Sequence, residues 1–368
     1  MKKIVISGTG LYTPPHTITN EELVASFNAY VDSCNQALAE GVEPLTYSDA
    51  AFIVKASGIK SRYVVEKSGI LDIDFMRPRI PRRRSEESSV QCDMSVQAAK
   101  QAINNANIAI ESLDMIIVAC SNMERPYPAV AIEVQQALGV SGFAFDLNVA
   151  CSSATFAIQT AVNALIAGNA KGVLILNPEI CSAHLNFRDR DCHFIFGDAC
   201  TAVILQREED VRSSQSYTIL STELKTEFSN NIRNNFGFLN NCDSNQQQRN
   251  DLLFMQQGRK VFKEVIPLVA DMLMAHLEAE QIAVSDIKRF WLHQANLNMN
   301  QLIVKKVLGR DATVTEAPSI IHEYANTSSA GSIIVFHKHH QDLQSGDLGL
   351  LSSFGAGYSV GSIILQKN

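Results

Sequence analysis

The chain has 368 residues, 46% of them hydrophobic and 19% charged, and a formal net charge of −7. That length and apolar content suit two domains, or one domain built in two halves, around a large core. The acidic balance argues against nucleic-acid binding, the eight scattered cysteines show no CxxC or zinc-like spacing and read as reduced thiols in a cytoplasm with no metal site, and no run approaches the roughly 18 apolar residues of a membrane span.

Met1-Lys2-Lys3 opens like a signal peptide, but the apolar Ile4-Val5-Ile6-Ser7 stops at Gly8 and Gly10 ahead of Pro14-Pro15 and reads as a first strand over 3–7. Thr19-Asn20-Glu21-Glu22 is a helix start, and the helical pattern over 24–62 is interrupted by a loop at Gly41 and Pro44. Next comes a cationic stretch from Arg77 to Arg84, which reads as a solvated loop or as a contact for phosphate or an acidic surface. From Val90 helices and strands alternate: helix 95–104, strand 115–120, helix 129–138, a buried strand 143–147, a helix after Cys151, and strands 172–176 and 202–205. Unbroken apolar strands between helices need a sheet covered on both faces, so the class is α/β. The stretch 207–250 is polar, with Asn240-Asn241 and Gln246-Gln247-Gln248, and we place the boundary between halves there, giving 1–215 and 216–368. The second half then runs helix 259–277, strand 290–292, helix 298–308 and closing strands 348–352 and 362–365.

The two halves echo one another. Val149-Ala150-Cys151-Ser152-Ser153-Ala154 resembles Ala325-Asn326-Thr327-Ser328-Ser329-Ala330, and the strand into Cys120 resembles the strand into His293. Likewise Ile195-Phe196-Gly197-Asp198-Ala199 resembles Ser353-Phe354-Gly355-Ala356-Gly357, each ahead of an apolar strand. A duplicated α/β unit brings equivalent strand ends to one cleft, where Cys151, His293 and Asn326 converge. Cys151 stands where a strand gives way to a helix, among unpaired N–H groups at the positive end of a helix dipole, a setting that favours thiolate. Read by themselves, a buried structural cysteine, a packed histidine and a turn asparagine remain open for these three positions.

Together, Leu292-His293-Gln294-Ala295-Asn296, Tyr324-Ala325-Asn326-Thr327-Ser328 and Phe354-Gly355-Ala356-Gly357 resemble, in order along nearly the whole chain, the β-ketoacyl-acyl-carrier-protein synthase III family of the thiolase superfamily. The resemblance implies duplicated halves in a five-layer αβαβα fold, a homodimer, and a Cys-His-Asn triad of Cys151, His293 and Asn326. It also implies a decarboxylating Claisen condensation of an acyl-CoA primer with malonyl-acyl-carrier protein, with no cofactor beyond the coenzyme A thioester as substrate. An oxyanion hole follows from the backbone N–H groups of Cys151 and Ala356. Tyr127 matches an aromatic that floors the partner's acyl pocket and Phe354 a pocket-lining aromatic, while Lys263, Lys305 and Lys306 match carrier-docking positions. No membrane or nucleic-acid partner is implied.

The chain departs from the family pattern at Asn298, where Arg is usual, and at Phe52 and Ala56, where Trp and Arg hold the adenine of coenzyme A. The arginine stretch 77–84 is a substitute for those phosphate contacts in this reading, and the primer is medium-chain, as in the β-ketodecanoyl branch of the family. The enzymatic alternative is a hydroxymethylglutaryl-CoA synthase-like condensation with Glu124 as base; the non-enzymatic one is an acyl-carrier or scaffold protein of the same fold.

Overall fold

The structure, a computed structural model, describes residues 2–242, 244 and 250–368; Met1 and Gln246-Gln247-Gln248 lie outside the described residues. It opens with β1 (Ile4–Tyr12), β2 (His16–Thr19), α1 (Asn20–Gln36), α2 (Ala50–Ser57), β3 (Ser61–Val64) and α3 (Ser68–Leu71). The first layered unit follows as α4 (Val90–Ala106), β4 (Met115–Ala119), α5 (Val130–Leu138), β5 (Phe143–Leu147), α6 (Ser153–Ala167), β6 (Gly172–Ile180) and β7 (Asp198–Arg207). The second comprises β8 (Tyr217–Ser229), β9 (Ile232–Arg233), β10 (Met255–Gln256), α7 (Gly258–Ala279), β11 (Ile287–Leu292) and α8 (Leu297–Leu308), then α9 (Ile321–Tyr324), α10 (Ala330–Lys338), β12 (Leu348–Gly355) and β13 (Gly357–Lys367).

Nine strands pair in the order β11-β12-β13-β8-β1-β7-β6-β4-β5. Reading outward from the seam, where Ile4, Val5 and Ile6 of β1 pair with Ile219, Thr218 and Tyr217 of β8, the two sides repeat. On one side β1, β7 and β6 are antiparallel neighbours and β4 runs parallel to β6; on the other β8, β13 and β12 are antiparallel and β11 runs parallel to β12. The duplication seen in the sequence is therefore a duplication of topology.

Alternation along each strand decides the layers. Ile117, Ile175 and Val203 of one half and Trp291, Leu351 and Ile363 of the other close on α6 and α10. Their neighbours Ile116, Leu174 and Ile204 pack under α4 and α5, and Phe290, Leu350 and Ile364 under α7 and α8. The result is five layers, α4/α5, sheet, α6/α10, sheet, α7/α8. By length and composition Ala150–Ala167 is apolar enough to cross a membrane, against the expectation that no run approaches that length; here residues 150–152 form a 3₁₀ turn and the rest form α6, packed between the two halves of the sheet.

Three expectations change. β1 continues past Gly8 and Gly10 to Tyr12, because α4 lies so close that a Cβ on either glycine would come within 2.5 Å of the Ala102 carbonyl oxygen or 2.1 Å of that of Ala98. The strand 143–147 is a sheet edge with Phe143 44% exposed, not a buried strand. The polar stretch after 207 contains β8, whose half-exposed pattern lacks an apolar run. The helix start at Thr19 is a capping box, with Thr19 Oγ1 accepting from Glu22 N–H and the Glu22 carboxylate accepting from Thr19 N–H.

Candidate active site

Cys151, His293, Asn326, Phe354 and Gly355 line one cavity of about 690 Å³. A larger one, about 920 Å³, lies beside the edge strand β11 and holds none of them. The repeat explains the convergence: Cys151 follows β5 and precedes α6, Asn326 precedes α10, and His293 follows β11.

Cys151 sits in a single 3₁₀ turn, Ala150–Ser152, entered through Ala150 at φ +46°, a strained conformation for a residue with a Cβ. Local polar groups hold that turn. Asn148 Oδ1 accepts from Ala150 N–H at 2.9 Å, Val149 N–H donates to Ser153 Oγ at 2.8 Å, and Ser153 Oγ donates to the Ala150 carbonyl at 2.7 Å. From across the cleft Gly355 presses so close that a Cβ there would stand 2.5 Å from Cys151 Cβ and 2.9 Å from Sγ. Ser359 Oγ donates to Ser152 Oγ at 2.9 Å and so ties the β12–β13 turn to the cysteine turn.

The electrostatics differ from the helix-dipole expectation. Burial pushes the Cys151 thiol up to about 11, and the charge of Glu179 adds to the rise; the Ser328 hydroxyl and the backbone N–H groups of Ala356 and Cys151 pull the other way without reversing it. His293 is 1% exposed and burial lowers its pKa to about 4, so the ring is neutral at physiological pH. Its main chain is fixed by His293 N–H donating to the Ser352 carbonyl at 2.8 Å and by Asn300 Nδ2 donating to the His293 carbonyl at 2.8 Å. The Phe354 ring meets the imidazole edge to face, centroids 5.2 Å apart.

Asn326 is clamped between strand ends, its N–H donating to the Ile195 carbonyl and its own carbonyl accepting from Gly197 N–H, both at 3.0 Å. Its Oδ1 accepts from Ser328 N–H at 2.9 Å, which orients the amide and leaves Nδ2 as the free donor.

Three comparisons with known proteins bear on this arrangement. Residues 145–227 match the family profile described as 3-oxoacyl-[acyl-carrier-protein] synthase III, and residues 277–367 match its C-terminal counterpart. A β-ketodecanoyl-[acyl-carrier-protein] synthase of Pseudomonas aeruginosa is 57% identical over 348 residues, covering 93% of this chain and 99% of the relative. The chain belongs to the β-ketoacyl-acyl-carrier-protein synthase III family. A second member, from Granulibacter bethesdensis, is 28% identical over the full length of both chains. The synthase III of Aquifex aeolicus superposes with a TM-score of 0.76 at 26% identity over 99% of both chains, which carries the thiolase-like fold. As a synthase III this protein is an acyl-transferring condensing enzyme.

Within this synthase III, the remaining sequence-derived residues fall in different places. Tyr127 is 82% exposed and does not line the cavity of its own chain. Lys263 is exposed at the start of α7, near Arg259, which lines the cavity; Lys305 and Lys306 are paired with Asp311 and Asp271 at 3.0 and 2.7 Å. Glu124, the alternative base, is exposed, bonded to Gln91 N–H and away from the cavity.

No residue of the 77–84 stretch lines the cavity either: Arg79, Arg83 and Arg84 pair with Asp72, Asp93 and Glu87. Asn298 is spent on structure, its Nδ2 donating to the Lys55 and Ala56 carbonyls at the end of α2. What sequence reasoning missed is Arg190, which does not itself line the cavity but whose guanidinium stands 5.1 Å over the ring of Phe52, which does. It also missed Glu179. Neither sits in a motif, and each finds its partners only through the fold.

Proposed function

We propose that this enzyme loads a medium-chain acyl group from coenzyme A onto Cys151 and condenses it with malonyl-acyl-carrier protein, as a cytoplasmic homodimer feeding fatty-acid synthesis. The observation that carries the reading is the shared cavity of a thiol, a neutral imidazole and a free amide donor. The β-ketodecanoyl name of the 57% identical relative supports the chain length, since decarboxylative condensation adds two carbons and the primer is then octanoyl.

Because the thiol is protonated at rest, its attack on the acyl thioester needs a proton acceptor. Neutral His293 has a free ring lone pair in the same cavity; it takes the Sγ proton and returns it to the departing coenzyme A sulfur. The tetrahedral oxyanion falls to the N–H groups of Cys151 and Ala356. In the second half-reaction malonyl thioester loses carbon dioxide, and the charge left on its thioester oxygen meets the His293 N–H and Asn326 Nδ2. The enolate carbon then attacks the Cys151 thioester, a carbon–carbon bond forms as the carbon–sulfur bond breaks, and Sγ leaves as a thiolate that takes a proton from solvent to restore the resting thiol. Residues 1–215 thus bear the nucleophile and 216–368 the pair that makes the carbanion.

For the substrate handle, Phe52 and Arg190 serve as the adenine and phosphate contact in place of the usual Trp and Arg. Arg259, with Lys263, Lys305 and Lys306 nearby or on α8, presents the positive charge for the acidic carrier. Tyr127 reaches the acyl pocket of a second copy, and Phe354 borders the pocket of its own.

The test is intact mass after exposure to an acyl-CoA ladder. Octanoyl should appear on the wild type in preference to acetyl, and on Cys151→Ala nothing should appear. Acetyl preferred over octanoyl would sink the medium-chain proposal.

A further inference from the structure

Glu179, near the end of β6, is 1% exposed, and burial raises its pKa. Among the described residues no lysine or arginine pairs with it. Its donors are Ser121, through N–H at 3.0 Å and Oγ at 2.6 Å, Ser329, through N–H at 3.1 Å and Oγ at 2.5 Å, and more weakly the Cys181 thiol at 3.7 Å. Such an arrangement is costly unless every lone pair is used, and it cannot be traded for an apolar residue without stranding two hydroxyls.

What it joins is telling. Ser329 is the N-cap of α10 and immediately follows the Asn326-Thr327-Ser328 turn, so the positive end of that helix points at the carboxylate. Ser121 follows β4, and its carbonyl accepts from Asn148 Nδ2 at 2.9 Å; Asn148 Oδ1 accepts from the N–H of Ala150, the residue before Cys151. A continuous relay of hydrogen bonds therefore runs from the cysteine turn, through Asn148, Ser121, Glu179 and Ser329, to the turn that carries Asn326. It crosses between the two halves of the molecule. The duplicated helices α6 and α10 differ here: the first opens at the thiol, the second at a buried carboxylate.

We propose that Glu179 is a positioning residue for condensation, fixing Asn326 relative to Cys151 across the junction of the halves. It rests on the reading of Asn326 as an enolate donor given above. The relay acts on the half-reaction that needs both turns in register, while loading of Cys151 depends on the cysteine turn, Gly355 and His293. Glu179 also faces the thiols of Cys120, Cys151, Cys181 and Cys200 and the carboxyl of Asp198, and its charge opposes ionisation of each.

The experiment compares Glu179→Gln and Ser329→Ala with wild type in three readouts: octanoyl loading of Cys151 from octanoyl-CoA, decarboxylation of malonyl-acyl-carrier protein, and the pH midpoint of Cys151 alkylation. Both variants should lose about tenfold or more in decarboxylation kcat, with KM for the carrier and the loading rate little changed, as expected for a small misplacement of a catalytic donor. The alkylation midpoint should move to lower pH in Glu179→Gln, where a charge is removed, and stay in Ser329→Ala, where it is kept. Unchanged decarboxylation in both variants, or a parallel fall in both half-reactions with a fixed alkylation midpoint, overturns the proposal. Wild type that loads octanoyl but does not decarboxylate the malonyl carrier instead overturns the underlying reading of Asn326.

Discussion

Gly355 and Cys151 show how tightly the proposed nucleophile is held. The thiol has no room to retreat from the β12–β13 turn, because a methyl group on Gly355 would overlap both Cβ and Sγ. Gly355→Ala is therefore expected to displace the sulfur at a modest cost in stability, about 1–3 kcal/mol for local overpacking. Loading of Cys151 should fall on the order of 100-fold, since a shift of about 1 Å in a reacting atom has that effect. Stopped-time intact mass with octanoyl-CoA checks the rate and urea unfolding checks the fold; loading at the wild-type rate would show that the turn does not constrain the thiol. The convergence of Cys151, His293 and Asn326 on one cavity was legible in the sequence because each belongs to a short motif beside a strand or helix end. The state of the thiol was not. A dipole argument sees only the helix, whereas burial and the charge of Glu179, far away in sequence, set the direction of the shift.

At the scale of elements, the layered strands and helices were legible wherever apolar periodicity was strong, and the repeat announced the topology. β8 escaped because its residues are half exposed and polar, so pairing to β13 and β1 rather than burial specifies it. The outer wall of the cavity escaped for a related reason. α2 supplies Phe52 to it, and behind Phe52 stands Arg190 from the segment between β6 and β7, anchored by its Nε donating to the Tyr47 carbonyl at 2.7 Å. Tyr47 thus braces Arg190 against Phe52, while Arg79, Arg83 and Arg84 of the stretch 77–84 are paired with neighbouring carboxylates. Removing the guanidinium deletes contacts that are the same in ground and transition states, which raises KM and spares kcat. Arg190→Ala is expected to raise KM for octanoyl-CoA about five- to tenfold, in keeping with one cation–π and phosphate contact. Octanoyl-pantetheine, which lacks the nucleotide, should be used equally by both proteins. An equal loss with both substrates would place Arg190 in the structure of the wall rather than in nucleotide binding.

Across the whole molecule the polar groups buried by the five layers set its response to acid. Burial lowers His184, His193, His293 and His340 to about 4 each, while in the unfolded chain histidine titrates near about 6.5. Between those values the unfolded chain binds more protons than the folded one, so stability is full above about pH 6.5 and falls as pH drops toward about 4. Asp198, raised to about 6 by burial, acts in the opposite sense as pH falls below that value and offsets part of the loss. Each histidine contributes about 1.4 kcal/mol per pH unit in this window, so the net loss by pH 5 is several kcal/mol out of a typical stability of about 5–15 kcal/mol. The urea midpoint should therefore fall steeply between pH 7 and pH 5. Condensation per folded molecule should show no inflection near pH 6.5, because His293 within the fold stays neutral to about pH 4. A flat urea midpoint over that range, or a rate profile that breaks at the ordinary histidine pKa, would mean that His293 is wetter than the packed site implies. The acid limb of activity then belongs to the catalytic ring; otherwise it belongs to the unfolding of the core around it.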